Sequence, residues 1–437
     1  MVFWKRLWLI GTGLFWSISL MAAPQIEQWQ SEGGAAIYFV AAPELPMVDI
    51  EISFAAGSGY DGDLPGLANF TASMVEEGAG TLDADAIAEG FDRLGAGFSA
   101  SADRDRISLS LRTLTQPQLL QQALQLYRLL LTEPTFPASA VERVREQILV
   151  SLTAAEQSPA SIASRRFYAA LYADHPYAHP VSGDKKRVAA ITAKEMQQFY
   201  QRYFVQKNAT VAVVGALSRS EVEEIVRELL SPLPPGEAAS PLPEVIAPEQ
   251  GARIEIAYPS SQTHILWGQP GYRRGDPDKF ALYVGNHILG GSGLTSRISE
   301  EVREKRGLSY SAYSYFVPYR QPGPFTLGLQ TKNAQREEAL SVLQQTLTRF
   351  IEKGPEEKEL VAAKRNITGS FPLNIDSNSD LLAYLSVIGF YQLPLDYLDT
   401  FPQRVEAVTV EDIRRVFRKR IDPRKMVTVL VGAGSGA

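Results

Sequence analysis

The chain has 437 residues, of which 45% are hydrophobic and 21% are charged, and its formal net charge is -6. This acidic balance argues against a nucleic-acid-binding protein, and the length is enough for two globular domains. Cysteine is absent, which excludes disulfides, thiolate nucleophiles and cysteine-ligated zinc. A histidine-based metal site would have to draw on the four histidines, His175, His179, His264 and His287.

The N-terminal segment is typical of a secretory signal peptide. Lys5 and Arg6 precede an apolar run of about fifteen residues, and the small residues Ala22 and Ala23 follow it. We therefore predict a signal peptide at residues 1–23 and a periplasmic protein, with an uncleaved anchor helix as the alternative. No later stretch reaches the roughly 20 apolar residues that a membrane span requires.

The first half of the chain continues with strand-like and helical patterns. Hydrophobic and polar residues alternate from Val48 to Phe54, which predicts a half-buried strand, and a helix opens at Gly66. Further strands and helices follow. The half ends with a helix capped by Thr192 and a buried strand at 209–215.

The second half repeats this ending, since it also closes with a threonine-capped helix, a basic segment and a buried strand. Three pairs of identical residues stand 217 positions apart: Val188 and Val405, Thr192 and Thr409, Gly215 and Gly432. An ungapped match of this length indicates an internal duplication.

A proline-rich connector at residues 231–250 separates the two halves, and its composition is unsuited to a helix or a sheet. We predict an α+β fold of two homologous domains, 24–230 and 251–437. Each domain is expected to be a mostly antiparallel sheet with helices packed on one face.

Three segments carry a resemblance to a known family. They are GSGYDGDLPGLA at residues 57–68, YADHPYAHP at residues 172–180, and a segment at residues 288–310 in which ILGGSGLTSRI precedes VREKRGLSY. On these motifs the chain resembles the pitrilysin/insulinase (inverzincin) metallopeptidase superfamily. The most similar branch is the processing-peptidase-like bacterial one, which includes inactive partner subunits.

Active members of that superfamily carry a His-x-x-Glu-His motif on the helix that opens here at Gly66. Its two histidines hold Zn²⁺, its Glu acts as general base, and a later Glu completes the ligands. In this chain Asn69, Ala72 and Ser73 occupy that frame, and Ser151 stands where the resemblance places the later Glu. Amides and hydroxyls are poor zinc ligands, and alanine accepts no proton. The resemblance therefore implies a degenerate site with no catalytic residue and no bound metal.

Other acids and histidines give weaker metal candidates. Glu76 and Glu77 lie one turn beyond the degenerate motif with no histidine on their face, and we interpret them as a solvated helix end. His175 and His179 have helical spacing, but Pro176 lies between them and interrupts the helix that such a pair needs. We interpret this pair as stabilising a loop.

Part of a peptide-binding site is retained in the second half. Arg303 and Tyr310, seven residues apart, match an Arg and a Tyr that hold substrate opposite the zinc in the family. An arginine supplies a charged donor fork and a tyrosine supplies a hydroxyl donor. The alternative is a surface arginine and a core tyrosine. The resemblance also places a sheet edge, to which extended peptides add as a strand, at residues 97–101.

The resemblance implies a non-catalytic, substrate-binding subunit of a two-chain periplasmic zinc peptidase. In this reading a homologous partner carries the zinc, and this chain closes the chamber and contributes Arg303 and Tyr310 to the binding of a peptide or unfolded polypeptide. We expect a heterodimer that is inactive without the partner. Two alternatives are a structural or peptide-binding protein on the same fold without a peptidase partner, and an enzyme that uses other residues.

Overall fold

The computed structural model describes residues 25–433, so the predicted signal peptide at 1–23 lies outside the described residues. In the first half the strands run in the sheet order β1-β2-β8-β3-β7-β6, with β4 and β5 forming a separate two-stranded ribbon. Only β2 and β8 pair in parallel within the six-stranded sheet. The strands are β1 (Glu27–Gln30), β2 (Ala36–Ala41), β3 (Met47–Phe54), β4 (Gly78–Ala79), β5 (Leu82–Asp83), β6 (Gly97–Ala102), β7 (Ile107–Leu114) and β8 (Ala209–Gly215).

Eight helices belong to the described part of the first half. Several begin at sequence signals for helix starts, such as the acidic cap before α2 and the Thr192 capping box before α7. The helices are α1 (Leu67–Met74), α2 (Ala84–Leu94), α3 (Pro117–Thr132), α4 (Ala138–Glu156), α5 (Pro159–Tyr172), α6 (Lys185–Ala190), α7 (Ala193–Tyr203) and α8 (Arg219–Leu230).

The second half forms a five-stranded sheet in the order β11-β12-β10-β13-β9, in which only β13 and β9 are parallel. Its strands are β9 (Arg253–Ala257), β10 (Gln262–Pro270), β11 (Ala312–Phe316), β12 (Pro324–Lys332) and β13 (Val427–Gly432). Its helices are α9 (Lys279–Asn286), α10 (Arg297–Ser299), α11 (Arg336–Lys353), α12 (Glu357–Ser370), α13 (Asn378–Phe390), α14 (Tyr397–Glu406) and α15 (Val410–Arg420), with π-helical turns at His287–Gly291 and Glu300–Glu304. Within residues 25–433, no helix is both long and apolar enough to cross a membrane.

The duplication predicted from the sequence is present in the fold. Helices α7 and α15 start at residues 193 and 410, and strands β7 and β12 start at residues 107 and 324, so both pairs stand 217 residues apart. Both helices begin with a threonine capping box. The predicted α+β class with two homologous, mostly antiparallel domains is therefore confirmed.

Each sheet is covered on its second face by a helix from the other half. Helix α13 packs on β8 and β3 of the first sheet, and α5 packs on β13 and β10 of the second. The central strands β8 and β13 are buried along almost their whole length, as expected for strands covered on both faces. The sequence predicted helices on one face of each sheet only. In the structure, each half also supplies one helix to the second face of the other half's sheet, and this reciprocal exchange joins the two halves.

The connector at residues 231–250 contains neither helix nor strand but is fixed to the surface. Leu233 and Leu242 are buried, and the Gln206 N–H donates to the Pro234 carbonyl at 3.0 Å. The connector therefore packs as part of the folded protein.

A buried carboxylate lies where the halves meet. Asp105 is 1% exposed and accepts hydrogen bonds from the Tyr177 hydroxyl, from the Tyr391 hydroxyl at 2.8 Å and from the Arg320 backbone N–H at 2.8 Å. Tyr177 comes from the first half, and Tyr391 and Arg320 come from the second. Asp105 therefore links the halves through charge-assisted bonds, which are stronger than neutral ones.

Replacing Asp105 with alanine tests this link. The Asp105→Ala variant should lose about 3 kcal/mol of unfolding free energy, because three buried donors lose their acceptor. Urea denaturation measures the loss. The matched control is Asp92→Ala at an exposed position of α2, which should stay within about 0.5 kcal/mol of wild type. Equal stabilities for the two variants would contradict the assigned role.

Candidate functional site

Asp61 and Gly66 fix the start of α1, the helix that carries the degenerate motif. Gly66 has φ +102°, a left-handed conformation that favours glycine, and a side chain there would approach the Ser182 carbonyl at 3.1 Å. The buried Asp61 carboxylate accepts the N–H groups of Gly66 and Ala68, both at 2.7 Å. These contacts fix the orientation of α1 at its start, and therefore where the side chains of its next turn point.

A cleft of about 230 Å³ lies between α1 and α4. It is lined by Asn69, Ser73, Glu77, Val144, Gln147, Ile148, Ser151 and Ser182. The structure thus brings together three of the four predicted degenerate positions, Asn69, Ser73 and Ser151. The fourth, Ala72, is buried in the core at 1% exposure and does not line the cleft.

The groups in this cleft do not suit Zn²⁺. The Ser73 hydroxyl donates to the Asn69 carbonyl at 3.0 Å, and the Glu77 carboxylate is already paired with Arg143. Among residues 25–433, no three His, Cys, Asp or Glu side chains are grouped so that they could hold a metal ion. Zinc is held in proteins by several imidazole, thiolate or carboxylate ligands, and the cleft has only the Arg143-paired Glu77, so it offers no zinc ligand set.

The two acids after the motif have different surroundings. Glu77 pairs with Arg143 of α4, as described above. Glu76 is exposed, as expected for a solvated helix end. Our interpretation of both acids as a solvated helix end is therefore incomplete for Glu77, whose partner only tertiary contacts could have identified.

His175 caps the start of a short 3₁₀ turn, Pro176–Ala178, and holds this loop against the connector. Its Nδ1 accepts the Tyr177 N–H at 3.0 Å, and its Nε2 lies 3.0 Å from the Pro243 carbonyl. Burial lowers the pKa of His175. With both ring nitrogens engaged, this histidine has the surroundings of a loop-stabilising residue.

Arg303 and Tyr310 lie together on the surface of the second half. Arg303 belongs to the π-helical turn that follows α10, and its Cζ is 5.9 Å from the centre of the Tyr310 ring. Tyr310 is 88% exposed, which excludes a core role for this tyrosine. The Arg303 Nε is 3.3 Å from the adjacent Glu304 carboxylate, an exposed pairing that a ligand could readily displace. The pair therefore presents an accessible guanidinium and hydroxyl.

Strand β6 forms one edge of the first sheet, as the resemblance implies for residues 97–101. Its side chains alternate between exposed and half-buried positions, and α1 packs beside it. As the outermost strand, β6 has backbone groups on one side without a neighbouring strand, to which an extended peptide could add.

Rebuilding the metal ligands tests whether the cleft is the degenerate site. The triple variant Asn69→His, Ser73→His, Ser151→Glu should retain about one zinc per chain after dialysis, because those three side chains face one cleft. Wild-type protein should retain none. Elemental analysis measures the zinc content.

The double variant without Ser151→Glu is the matched control and should bind zinc more weakly. A folded triple variant without zinc would contradict the placement of the frame. Stoichiometric zinc in the wild-type chain would contradict the loss of the site.

Asp61 gives a prediction about pH. Burial raises the pKa of Asp61 from 3.8 to about 7, against two hydrogen bonds that favour the charged form. The folded state then binds a proton that the unfolded chain releases, so the unfolding free energy should fall as pH rises from about 4 to about 7. Asp61→Asn should reduce this slope in urea denaturation measured from pH 4 to pH 8. If the unfolding free energies of the variant and wild type changed with pH in the same way, the prediction would be wrong.

Comparisons with known proteins agree with this fold. The family model for insulinase (peptidase family M16) matches residues 37–185, and the model for the peptidase M16 inactive domain matches residues 190–367. A crystal structure of a peptidase M16 inactive domain from Pseudomonas fluorescens is 39% identical and has a TM-score of 0.91. It covers 93% of this chain and 98% of its own.

More distant relatives share nearly the full length. An uncharacterized zinc protease, YmxG of Bacillus subtilis, is 24% identical over 90% of this chain and 94% of its own. A Helicobacter pylori protein described as a non-peptidase homolog is 24% identical over 89% of each chain. The chain belongs to the M16 (insulinase) peptidase family, as a member whose sequence contains no His-x-x-Glu-His motif.

Proposed function

We propose that this chain is the non-catalytic, substrate-binding subunit of a two-chain zinc peptidase of the periplasm. The observation that carries the proposal is the contrast between the two functional surfaces. The cleft of Asn69, Ser73 and Ser151 lacks a set of metal ligands, whereas the half-buried Arg303 lies beside an exposed Tyr310. A homologous partner that carries His-x-x-Glu-His would supply the zinc and the general base.

In this arrangement the Arg303–Tyr310 pair binds the peptide backbone. The guanidinium can donate to a carbonyl or a terminal carboxylate, and the phenol can donate to an oxygen that gains negative charge during cleavage. Hydrogen bonds of this kind act strongly where the two chains exclude water. Because the Arg303–Tyr310 pair is accessible to solvent in the isolated chain, a second chain could cover it and complete a binding site.

The edge strand β6 bears on the division of roles. In the family, the edge beside the metal helix is where a peptide adds as a strand, and here the cleft next to α1 lacks a set of metal ligands. Without a metal beside it, a peptide on that edge would not be cut. Productive binding in the assembly therefore depends on the partner's edge and on this chain's Arg303 and Tyr310.

The alternative is a structural or peptide-binding protein on the same fold that has no peptidase partner. The Helicobacter pylori relative described as a non-peptidase homolog favours it. Both functions require that the isolated chain cleaves nothing. They differ in whether a zinc-bearing homologue gains activity from this chain.

Reconstitution with a homologous chain that carries His-x-x-Glu-His, from the same organism, tests the proposal. The mixture should cleave unfolded peptides, and neither chain alone should do so efficiently. Arg303→Ala or Tyr310→Phe should lower the kcat/KM of the mixture by about 10². Arg227→Ala, an exposed arginine in α8, is the matched control and should leave the rate unchanged.

Two outcomes would contradict the proposal in different ways. A mixture no faster than the zinc-bearing chain alone would favour the partner-free alternative. Full activity with Arg303→Ala and Tyr310→Phe would exclude the assigned role of the pair while retaining the two-chain assembly.

A further inference from the structure

A cavity of about 290 Å³ lies between the two halves, on the face of the second sheet that α5 covers in part. Helix α5 of the first half packs on β13 and β10, whereas β12 and the edge strand β11 lie at the other side of the sheet. The cavity has strands β10 and β12 as its floor, α5 as one wall and β11 as the other. It is therefore a groove that the exchanged helix leaves uncovered.

Aromatic rings form both walls of this cavity. Tyr313 and Tyr315 of β11 line it with stacked rings, whose centres are 5.1 Å apart and whose planes differ by 9°. Phe167 and Tyr168 of α5 line the opposite wall. A planar ligand that entered between these walls would gain stacking or edge-to-face contacts in addition to burial of its apolar surface.

The rings in the walls are held in place by their neighbours. Tyr313 pairs with Gly328 of β12, and its ring lies so close that a side chain at position 328 would come within 2.4 Å of it. The Arg104 Cζ is 3.9 Å from the centre of the Tyr168 ring, and the Tyr168 hydroxyl is 3.2 Å from that of Tyr319. A ligand would therefore lose little affinity to the ordering of these side chains.

The cavity is polar in places but uncharged. No Asp, Glu, Lys or Arg lines it in the part of the chain that the structure describes. His264 and Gln330 stand opposite each other on β10 and β12, and Ser164 and Ser311 add two hydroxyls. Burial lowers the pKa of His264, so its imidazole is neutral at pH 7. A charged group that entered would lose water without finding a counter-charge, so the cavity favours a neutral ligand.

The size and position of the cavity indicate what that ligand is attached to. An apolar cavity of about 150 Å³ can hold benzene, so 290 Å³ has room for a phenol or an indole. It lies just below the range of about 300–1,000 Å³ that is typical of sites for whole small molecules. Ser311, which lines the cavity, directly follows Tyr310 in the chain. The cavity therefore begins beside the surface assigned above to peptide binding.

We propose that this cavity binds a neutral aromatic side chain of the peptide that Arg303 and Tyr310 hold, and so selects peptides with such a residue. The identity of the ligand as a peptide rests on the proposed function. Tyr313 and Tyr315 stand three and five residues after Tyr310, and an extended peptide advances about as far per residue as a strand. The aromatic residue would thus lie about three to five positions from the one that contacts Tyr310.

Fluorescence anisotropy with the isolated full chain tests this inference. The probes are labelled peptides of glycine and serine that differ only in one central residue, which is tyrosine, alanine or glutamate. Wild type should bind the tyrosine peptide at least about 10-fold more tightly than the alanine peptide, because an aromatic side chain is buried. The glutamate peptide should bind no better than the alanine peptide.

Equal affinity for the three peptides, or no saturable binding of the tyrosine peptide up to about 1 mM, would overturn the inference. The measurement needs no zinc-bearing homologue, so it does not depend on whether a two-chain peptidase forms. Failure of the proposed function would instead appear as a reconstituted mixture that gains no activity from this chain.

Variants on the two walls separate the cavity from general stickiness. Ser164→Trp fills the cavity from α5, and Tyr315→Ser removes part of the opposite wall; both positions are exposed, so the fold should tolerate the changes. Each should reduce the preference for tyrosine over alanine to less than about 3-fold. Ala169→Trp, at an exposed position of α5 outside the cavity, is the matched control and should keep the preference. A preference that survives in both wall variants, or that falls equally in the control, would overturn the assignment.

Discussion

Asp105 lies buried between the two halves of the chain and accepts hydrogen bonds from both of them. The exchange of α5 and α13 places it there, because each helix covers the sheet of the opposite half. Everything proposed about function depends on this arrangement. The degenerate cleft belongs to the first half and the Arg303–Tyr310 pair to the second, so the interlocked halves fix where the two surfaces stand relative to each other.

The cleft between α1 and α4 lacks a set of metal ligands. Asp61 and Gly66 set the start of α1, and α4 faces it across the cleft. Arg143 neutralises the Glu77 carboxylate there. The Arg303–Tyr310 pair instead presents a guanidinium and an exposed hydroxyl at the surface of the second half, which is why we propose a binding function for it.

The sequence alone predicted those features that are encoded locally. The capping threonines, the alternation in β3 and the 217-residue repeat are visible in short stretches, and the frame of Asn69, Ala72 and Ser73 follows from the motif around it. The exchange of α5 and α13 could not be predicted in the same way. The apolar runs of β8 and β13 indicate burial on both faces but do not say which helix covers them. The pairing of Glu77 with Arg143 likewise joins residues far apart in the chain.

The central claim is that this chain holds peptide through its second half without cleaving it, and photo-crosslinking tests this most directly. p-Benzoyl-phenylalanine would be placed at position 310 or, as a control, at the exposed connector position of Ile246. The assembly with the zinc-bearing homologue would then be illuminated with a labelled substrate peptide. The account predicts a crosslink from position 310 and none from position 246, with no cleavage by this chain alone. Equal crosslinking at both positions, or peptide hydrolysis by the isolated chain with zinc, would contradict it.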